Sequence, residues 1–217
     1  MTNHVGDGEP GRRTRAIATS VSRIMRMRDA LRGAGDGTAQ PFLDIACGDG
    51  RLAALVSVRA ARVALGVDDA PARRAAIPVV AGSGERLPFS DGAAAYVLMA
   101  DVLRRAREPE MLLREALRVG RHGVILIDRL VRRRGDRLLL GALDAAGGSG
   151  RAARYWTERQ WWELADRAGA QVTHWERLRD AYAAPASWLI GRDLHVVMVL
   201  EHSAPSPTTS LGPPTVA

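Results

Sequence analysis

Short apolar runs alternate with amphipathic segments along most of the chain. Apolar runs at residues 42–46, 62–67, 77–80, 94–100 and 123–127 predict buried β-strands. Between some of these runs, residues 51–59 and 108–119 carry apolar side chains at helical spacing. Because strands that alternate with helices form parallel sheets covered on both faces, the pattern predicts an α/β fold.

The same pattern continues towards both ends of the chain. Residues 20–32 are predicted to form a helix capped by Ser20, and residues 129–143 a basic, leucine-rich helix. Glycines at residues 147–150 break the second of these helices. Further on, Thr157 and Gln160 form a capping box for a helix that ends near Arg167.

The last part of the chain adds two strands, at residues 171–175 and 194–200. Residues 1–19 and 203–217 are polar and rich in small residues, which is typical of disordered tails. We therefore expect one domain over residues 20–202, with its acceptor and lid elements at about residues 129–192.

Composition narrows the class of protein. The 217 residues are 47% hydrophobic and 25% charged, as in ordinary globular domains. No uncharged apolar run is long enough to cross a membrane, and no secretory signal opens the sequence. The single cysteine, Cys47, excludes a disulfide within the chain and a multi-cysteine metal site, so the cytoplasm is the expected location.

A net charge of +7 normally suggests an anionic partner. However, all 31 basic residues are arginine, which indicates a codon bias towards G and C in a chain rich in alanine and glycine. We therefore expect most arginines to lie on solvated faces, and a polyanion-binding surface remains the alternative.

A glycine-rich turn follows the first strand. Small residues at positions 46, 48 and 50 would let the backbone approach a ligand at the carboxyl edge of the sheet. Their spacing does not match the Gly-x-Gly-x-x-Gly pattern of dehydrogenases. Asp68 ends the second strand, where a carboxylate can accept hydrogen bonds from both hydroxyls of a ribose. Asp69 follows directly, and one of the two is expected to be the ligand and the other a turn or helix cap.

Two motifs resemble one family. Asp44-Ile45-Ala46-Cys47-Gly48-Asp49-Gly50 is similar to the opening loop of class I S-adenosylmethionine-dependent methyltransferases, in their small-molecule branch. Without gaps, residues 82–92 (GSGERLPFSDG) resemble a later motif of that family. The resemblance covers about residues 40–177 and implies a Rossmann-like, doubly wound sheet of seven mostly parallel strands, with helices on both faces and the last strand antiparallel.

The resemblance also implies a binding site for S-adenosylmethionine. Asp44 would hold the amino group of the cofactor, the loop after it the methionine part, Asp68 the ribose, and residues 83–85 the adenine edge. Backbone atoms of residues 99 and 100 would meet the methionine end. The implied cofactor-binding set is Asp44, Ala46, Cys47, Gly48, Gly50, Asp68, Asp69, Ser83, Gly84, Glu85, Met99 and Ala100.

Several positions depart from the family pattern. Ser83 and Ala95 each replace an aspartate, Ala46 replaces a glycine, and Arg104-Arg105 replace a pair of histidines. Loss of the charged acceptor at position 83 is expected to weaken cofactor binding by ~1–2 kcal/mol.

Candidates for the chemistry of the acceptor lie near the same sheet edge. Asp101 and Asp128 follow the fourth and fifth strands and are the candidate bases, with helix caps as the alternative. Arg104, Arg105 and Arg129 are the candidates for binding an anionic acceptor such as a carboxylate or a phosphate, with solvated arginines at helix starts as the favoured alternative.

Aromatic residues cluster in the C-terminal third of the chain, and they are the candidates for an acceptor pocket. Tyr155 and Trp156 are predicted to lie on a loop that closes over the pocket together with residues 182–188. The alternative is that these side chains supply bulk to the core.

Other chemistries find little support in the sequence. No cluster has metal-ligand spacing, and residues 99–102 (MADV) lack the proline-containing tetrad of nucleic-acid base methyltransferases. The sequence therefore favours an enzyme that transfers a methyl group to an oxygen atom of a small molecule. A homo-oligomer of this enzyme is compatible with the sequence. Two alternatives stay open: an RNA- or polyanion-directed methyltransferase and a non-catalytic binding subunit of the same fold.

Overall fold

A single sheet of eight strands runs through the protein in a computed structural model, which describes residues 11–32, 40–133, 135–146, 153–178 and 194–203. The strand order is β3-β2-β1-β4-β5-β8-β7, and the short β6 pairs with β5 outside this path. The strands are β1 (Phe42–Ile45), β2 (Ala64–Asp68), β3 (Val79–Ala81), β4 (Val97–Ala100), β5 (Val124–Val131), β6 (Trp156–Thr157), β7 (Ala170–Arg177) and β8 (His195–His202).

Parallel pairing dominates, and β8 alone among these strands runs antiparallel to both of its neighbours, β5 and β7. The seven predicted strands and the antiparallel last strand are thus confirmed, although several strand ends move by one to four residues. The added strand, β6, has only two residues, which is too short for an alternating or apolar pattern to mark it in the sequence.

Helices cover both faces of the sheet. They are α1 (Arg12–Leu31), α2 (Arg51–Ala60), α3 (Pro109–Val119), α4 (Asp136–Ala146) and α5 (Glu158–Arg167), with a short 3-10 helix, η1 (Leu103–Arg105). Side chains of α1 and α2 pack in one apolar cluster with the sheet, and side chains of α3 and α5 pack in the other. Both faces of the central strands are therefore buried, which explains why β1 and β5 are apolar almost throughout.

The first helix is longer than the sequence suggested. It begins at Arg12, and Ser20 is a buried residue in its middle, so the predicted tail is wrong for residues 12–19 and the predicted cap is wrong. Ile17 and Ala18 continue the buried face of the helix one turn towards the N-terminus. Their burial stabilises this turn although most of the residues around them are polar or charged. The capping box of Thr157 and Gln160 is confirmed at the start of α5.

The fifth strand is also longer than predicted. Residues 129–131 belong to β5, so a helix beginning at residue 129 is wrong, and α4 begins at Asp136. Arg129 pairs with His195 of β8, and Leu130 pairs with Trp156 of β6, so neighbours on both sides supply backbone partners for this extension. The glycines at 147–150 and the loop at 182–188 lie outside the described residues.

None of the described helices is both long enough and apolar enough to cross a membrane.

Candidate functional site

A cavity of about 500 Å³ opens at the carboxyl ends of β1, β2 and β4. This is the edge at which ligands bind in open α/β sheets. Eight of the predicted site residues line the cavity: Ala46, Asp68, Asp69, Ser83, Gly84, Glu85, Ala100 and Asp101. The structure therefore brings together the glycine loop, the tip of β2, the loop after β3 and the tip of β4, as the sequence predicted.

The turn between β1 and α2 bends by means of left-handed backbone. Ala46, Gly48 and Gly50 have φ of 55°, 57° and 71°, respectively. A Cβ at position 50 would lie 2.7 Å from the Ile77 side chain, so this position requires glycine for space as well as for conformation. At Gly48, by contrast, nothing lies within 4 Å of a built Cβ, so the loop leaves open space there.

Two backbone amides hold the Asp68 carboxylate. Gly48 donates its N–H to one carboxylate oxygen at 2.8 Å, and Ala70 donates to the other at 2.9 Å. Because each carboxylate oxygen can accept a second hydrogen bond, Asp68 keeps acceptor capacity on the side of the cavity that it lines. The glycine loop thus orients Asp68 before any ligand arrives.

Asp44 lies in β1 and is buried, with 3% of its surface exposed. Burial and the nearby negative charge of Asp68 raise the pKa of Asp44 to about 8, which favours its neutral form at pH 7. Burial and the charges of Asp44 and Asp68 also raise the pKa of the Cys47 thiol to about 12. Asp44, Cys47, Gly48 and Gly50 are not among the residues that line the cavity, and they shape the loop behind it.

The loop after β3 forms another wall. Glu85 donates its backbone N–H to the Ser83 hydroxyl at 3.2 Å, which closes a tight turn. A Cβ on Gly84 would lie 2.8 Å from the side chain of Leu112 in α3, so glycine lets this loop approach the helix closely. Met99 is fully buried beneath the cavity in β4, while Ala100 reaches the cavity.

Asp101 is the predicted catalytic residue that lines the cavity. Its backbone is left-handed, with φ of 61°, which is uncommon for a residue with a side chain. The carboxylate pairs with Arg13 of α1, and Arg104 Nε lies 3.3 Å from Oδ1. Burial opposes ionisation of Asp101, but the positive charges of these arginines outweigh it and lower its pKa. Asp101 is therefore an ionised carboxylate and a weak base.

Asp128, the other predicted catalytic residue, is fully buried and is not among the residues that line the cavity. Its carboxylate accepts backbone hydrogen bonds from Arg104 at 3.2 Å and from Arg129 at 2.8 Å. Burial and the negative charge of Asp101 raise its pKa. These contacts indicate a structural role for Asp128, because its carboxylate joins the backbone of η1 to that of β5.

Two of the three predicted acceptor-binding arginines, Arg104 and Arg129, are buried in ion pairs. Arg104 is 2% exposed, and its guanidinium lies 2.6 Å from Asp144 and 3.3 Å from Asp128. Arg129 lies 2.9 Å from Asp144 and is 7% exposed. These arginines are not among the cavity-lining residues, so the structure does not place them where an acceptor would enter.

The aromatic pair before α5 also lies away from the cavity lining. The Tyr155 hydroxyl is 2.5 Å from Asp144 and 3.0 Å from the Leu140 carbonyl oxygen. Trp156 lies in β6, so its placement on a loop is wrong, and it packs edge-on against Trp161 at 4.5 Å. Of the adjacent tryptophans, Trp161 is buried and Trp162 is exposed, as their neighbouring positions on one helix required.

Sequence reasoning missed part of the cavity. Val102, Arg107 and Leu112 also line it. Leu112 occupies an ordinary core position of the amphipathic α3, and Arg107 is one of 31 arginines, so neither position carried a signal of its own. Arg105, one of the arginines that the sequence offered for an anionic acceptor, does line the cavity.

Comparison with known proteins shows which family has a similar sequence around this cavity. Residues 43–127 match the family model described as a methyltransferase domain. Residues 43–127 thus form a methyltransferase domain. The matched stretch includes the glycine loop, Asp68, the loop at residues 82–85 and Asp101, so it contains every loop that forms the cavity. The predicted family, enzyme class and cofactor, S-adenosylmethionine, are thereby confirmed.

Solved structures show the same fold at low identity. A candidate methyltransferase from Bacillus halodurans C-125 is 15% identical with a TM-score of 0.59, over 85% of this chain and 100% of that chain. The mitomycin 7-O-methyltransferase MmcR is 16% identical with a TM-score of 0.60, over 88% of this chain and 54% of its own. The [4+2]-cyclase SpnF is 17% identical with a TM-score of 0.58, over 86% and 83%. No curated protein matches this sequence.

The residues around the cavity fit S-adenosylmethionine. Asp68 presents an oriented carboxylate to the cavity, as ribose hydroxyls require, and the open space at Gly48 lets a ligand approach the loop. The exposed turn at residues 83–85 offers backbone and hydroxyl groups at the same cavity.

Proposed function

We propose that this protein transfers a methyl group from S-adenosylmethionine to an oxygen atom of a small-molecule acceptor, as a cytoplasmic enzyme. The observation that carries the proposal is the cavity itself, which joins an oriented carboxylate on β2 to the strand ends of β1 and β4. The family match supplies the cofactor, and the small size of the cavity favours a small acceptor.

The wall formed by Asp68, Asp69 and residues 83–85 suits the nucleoside end of the cofactor. Asp68 accepts hydrogen bonds from the ribose, and Ser83 presents a hydroxyl to the adenine edge. The loop at residues 46–50 and the backbone of Met99 and Ala100 hold the methionine part. Asp44 lies in β1, just before that loop, and its pKa is raised by burial and by Asp68. In our proposal the positive charge of the cofactor's amino group favours the ionised form of this carboxyl.

Bound S-adenosylmethionine supplies a methyl group already activated by a sulfonium centre. The protein then contributes orientation and exclusion of water, and for an oxygen nucleophile the removal of a proton where one is present. In our proposal Asp101 lies at the acceptor end of the cavity. Because its ion pairs make it a weak base, its role there is to orient the acceptor and not to remove a proton. Asp128 supports Asp101 from below through Arg104.

The alternative of a non-catalytic subunit rests on Ser83 and Ala95, which stand where the family has aspartates. Ala95 is buried in the core between the sheet and α1, so its replacement leaves the cavity lining unchanged. Ser83 still presents an oxygen at the cavity. We therefore favour the enzyme over the binding subunit.

The test is a transfer assay. The full chain is incubated with S-adenosylmethionine and a panel of hydroxylated small molecules and RNA, and products are followed by the mass of one added methylene. We expect S-adenosylhomocysteine to form only with small molecules, and an Asp68→Ala variant to lose the activity. Transfer to RNA alone, or cofactor binding without transfer to any member of a broad panel, would contradict the proposal.

A further inference from the structure

Charge is divided between the walls of the cavity. Asp68, Asp69 and Glu85 lie on the side formed by β2 and the loop after β3. Arg105, the last residue of η1, and Arg107, between η1 and α3, lie on the opposite side. Asp101 also lines this side, but its carboxylate is paired with Arg13 and Arg104. The carboxylate side suits the ribose and adenine of the cofactor. The arginine side is therefore the one available to the methyl acceptor.

Arg107 is exposed at the mouth of the cavity. In the part of the chain that the structure describes, no carboxylate forms an ion pair with its guanidinium. Its backbone is fixed, however, because the Arg154 guanidinium donates to the carbonyl oxygens of Ala106 at 2.8 Å and Arg107 at 3.3 Å. The segment thus presents Arg107 from a held backbone and brings a further positive charge beside it.

Arg105 shares its carboxylate with other cations. It lies 3.3 Å from Asp144, while Arg104 and Arg129 contact the same carboxylate at 2.6 and 2.9 Å. The Arg105 contact is the longest of the three, and its side chain is 30% exposed. Of these three arginines, Arg105 is the one that lines the cavity, so a ligand there can contact it.

A cluster of ion pairs adjoins this wall. Among the described residues, four arginines share three carboxylates in it, namely Arg13, Arg104, Arg105 and Arg129 with Asp101, Asp128 and Asp144. Burial and the charge of Asp101 also disfavour ionisation of Asp128. Partly buried positive charge at the wall of a cleft attracts anions more strongly than the same charge on an open surface.

We propose that Arg105 and Arg107 bind an anionic group of the methyl acceptor, so that the acceptor is a small organic acid with a carboxylate or a phosphate. This inference rests on the proposed function of the same cavity. The planar guanidinium groups suit both anions, since each can accept two parallel N–H bonds. The two arginines determine specificity and take no part in the proton chemistry.

The test uses the full chain loaded with S-adenosylhomocysteine and three small aromatic probes: benzoate, the nearly isosteric neutral benzamide, and phenyl phosphate. Dissociation constants are measured for the wild type, for Arg105→Gln and Arg107→Gln, and for Arg159→Gln. Arg159 is the matched control, because it is exposed on α5, pairs with Glu163 and lies away from the cavity lining, yet its loss changes the net charge equally.

We expect the wild type to bind one of the two anions about tenfold or more tightly than benzamide. Arg105→Gln and Arg107→Gln should reduce this preference to about threefold or less, while Arg159→Gln keeps it. The tighter anion identifies the acceptor group as carboxylate or phosphate. Equal binding of anion and amide by the wild type, or an unchanged preference in both cavity variants, overturns the inference.

Two further outcomes also decide against it. If Arg159→Gln lowers the preference as much as the cavity variants, the effect is the net charge of the protein and not a site. If the cavity variants weaken S-adenosylhomocysteine binding by the same factor as anion binding, the arginines hold the carboxylate of the cofactor instead. A wild type that does not bind S-adenosylhomocysteine would overturn the proposed function and this inference with it, whereas cofactor binding without anion preference overturns this inference alone.

Discussion

Asp44 and Asp68 lie at the ends of neighbouring strands but in different surroundings. Asp68 lines the cavity and accepts two backbone hydrogen bonds, whereas Asp44 is buried and has a pKa of about 8. The folded protein therefore holds a proton on Asp44 at neutral pH that the unfolded chain releases near the ordinary aspartate pKa of 3.8. Between these two values, unfolding becomes easier as the pH rises.

This difference gives a pH-dependent prediction for stability. Asp44→Asn keeps the shape and removes the titration, so its free energy of unfolding relative to the wild type should rise by ~2–4 kcal/mol between pH 5 and pH 8. Urea unfolding at several pH values measures the difference. A constant difference between variant and wild type across this range would show that Asp44 is ionised in the folded protein.

Ser83 tests the adenine side of the cavity. Its hydroxyl accepts from the Glu85 amide, and an aspartate at this position can make the same turn while adding a charged acceptor. We expect Ser83→Asp to tighten S-adenosylmethionine binding by ~1–2 kcal/mol. Calorimetric titration measures this change, with Ser83→Ala as the control. Weaker binding by Ser83→Asp would mean that the adenine is bound elsewhere.

At the scale of elements, one buried arginine connects three parts of the fold. Arg104 belongs to η1 and contacts Asp101 after β4, Asp128 in β5 and Asp144 in α4. Removal of its charge leaves buried carboxylates short of a partner, which is costly even where the whole network contributes little. The network therefore fixes how α4 and η1 sit on the end of the sheet.

We expect Arg104→Met to lower the free energy of unfolding by ~3–5 kcal/mol, as for other broken buried ion pairs. Arg159→Met, which removes an exposed pair with Glu163, should cost less than ~1 kcal/mol. Denaturant titration of both variants makes the comparison. Similar small losses in the two variants would contradict a central role for Arg104.

Trp156 offers a second test at this scale. It is half-buried, packs on Trp161 and pairs through β6 with β5, so it resembles core more than a lid. Trp156→Ala should cost ~2–3 kcal/mol of stability and leave cofactor affinity nearly unchanged. Trp162→Ala, on the exposed side of the neighbouring helix α5, should cost less than ~1 kcal/mol of stability. Unchanged stability with a large loss of transfer activity would instead support a lid.

Strong local patterns predicted most elements, and contacts between distant segments account for the errors. The buried strands, α3 and the capping box of α5 are marked by periodicity and by side-chain chemistry within a few residues. The start of α1, the extension of β5 and the whole of β6 depend on partners far away in sequence, such as Trp156 beside Leu130. No window of sequence contains both members of such a pair.

At the scale of the whole molecule, the sheet converts scattered motifs into one site. Loops that follow β1, β2, β3 and β4 meet at one edge because these strands are parallel and adjacent. The cofactor side could be predicted, since each of its loops carries a motif. The acceptor side could be predicted only in part: the motif after β4 pointed to Arg105 as well as to Arg104, which is buried, whereas Arg107 differs from the other arginines only in where the fold places it.

The most direct test is calorimetric titration of S-adenosylmethionine into the full chain and its Asp68→Ala and Asp69→Ala variants. The account predicts a dissociation constant on the order of micromolar for the wild type, a loss of ~2–3 kcal/mol in Asp68→Ala, and less than about threefold change in Asp69→Ala. Circular dichroism confirms that each variant is folded. No binding by the wild type, or equal binding by a folded Asp68→Ala, would contradict the assignment of this cavity to the cofactor.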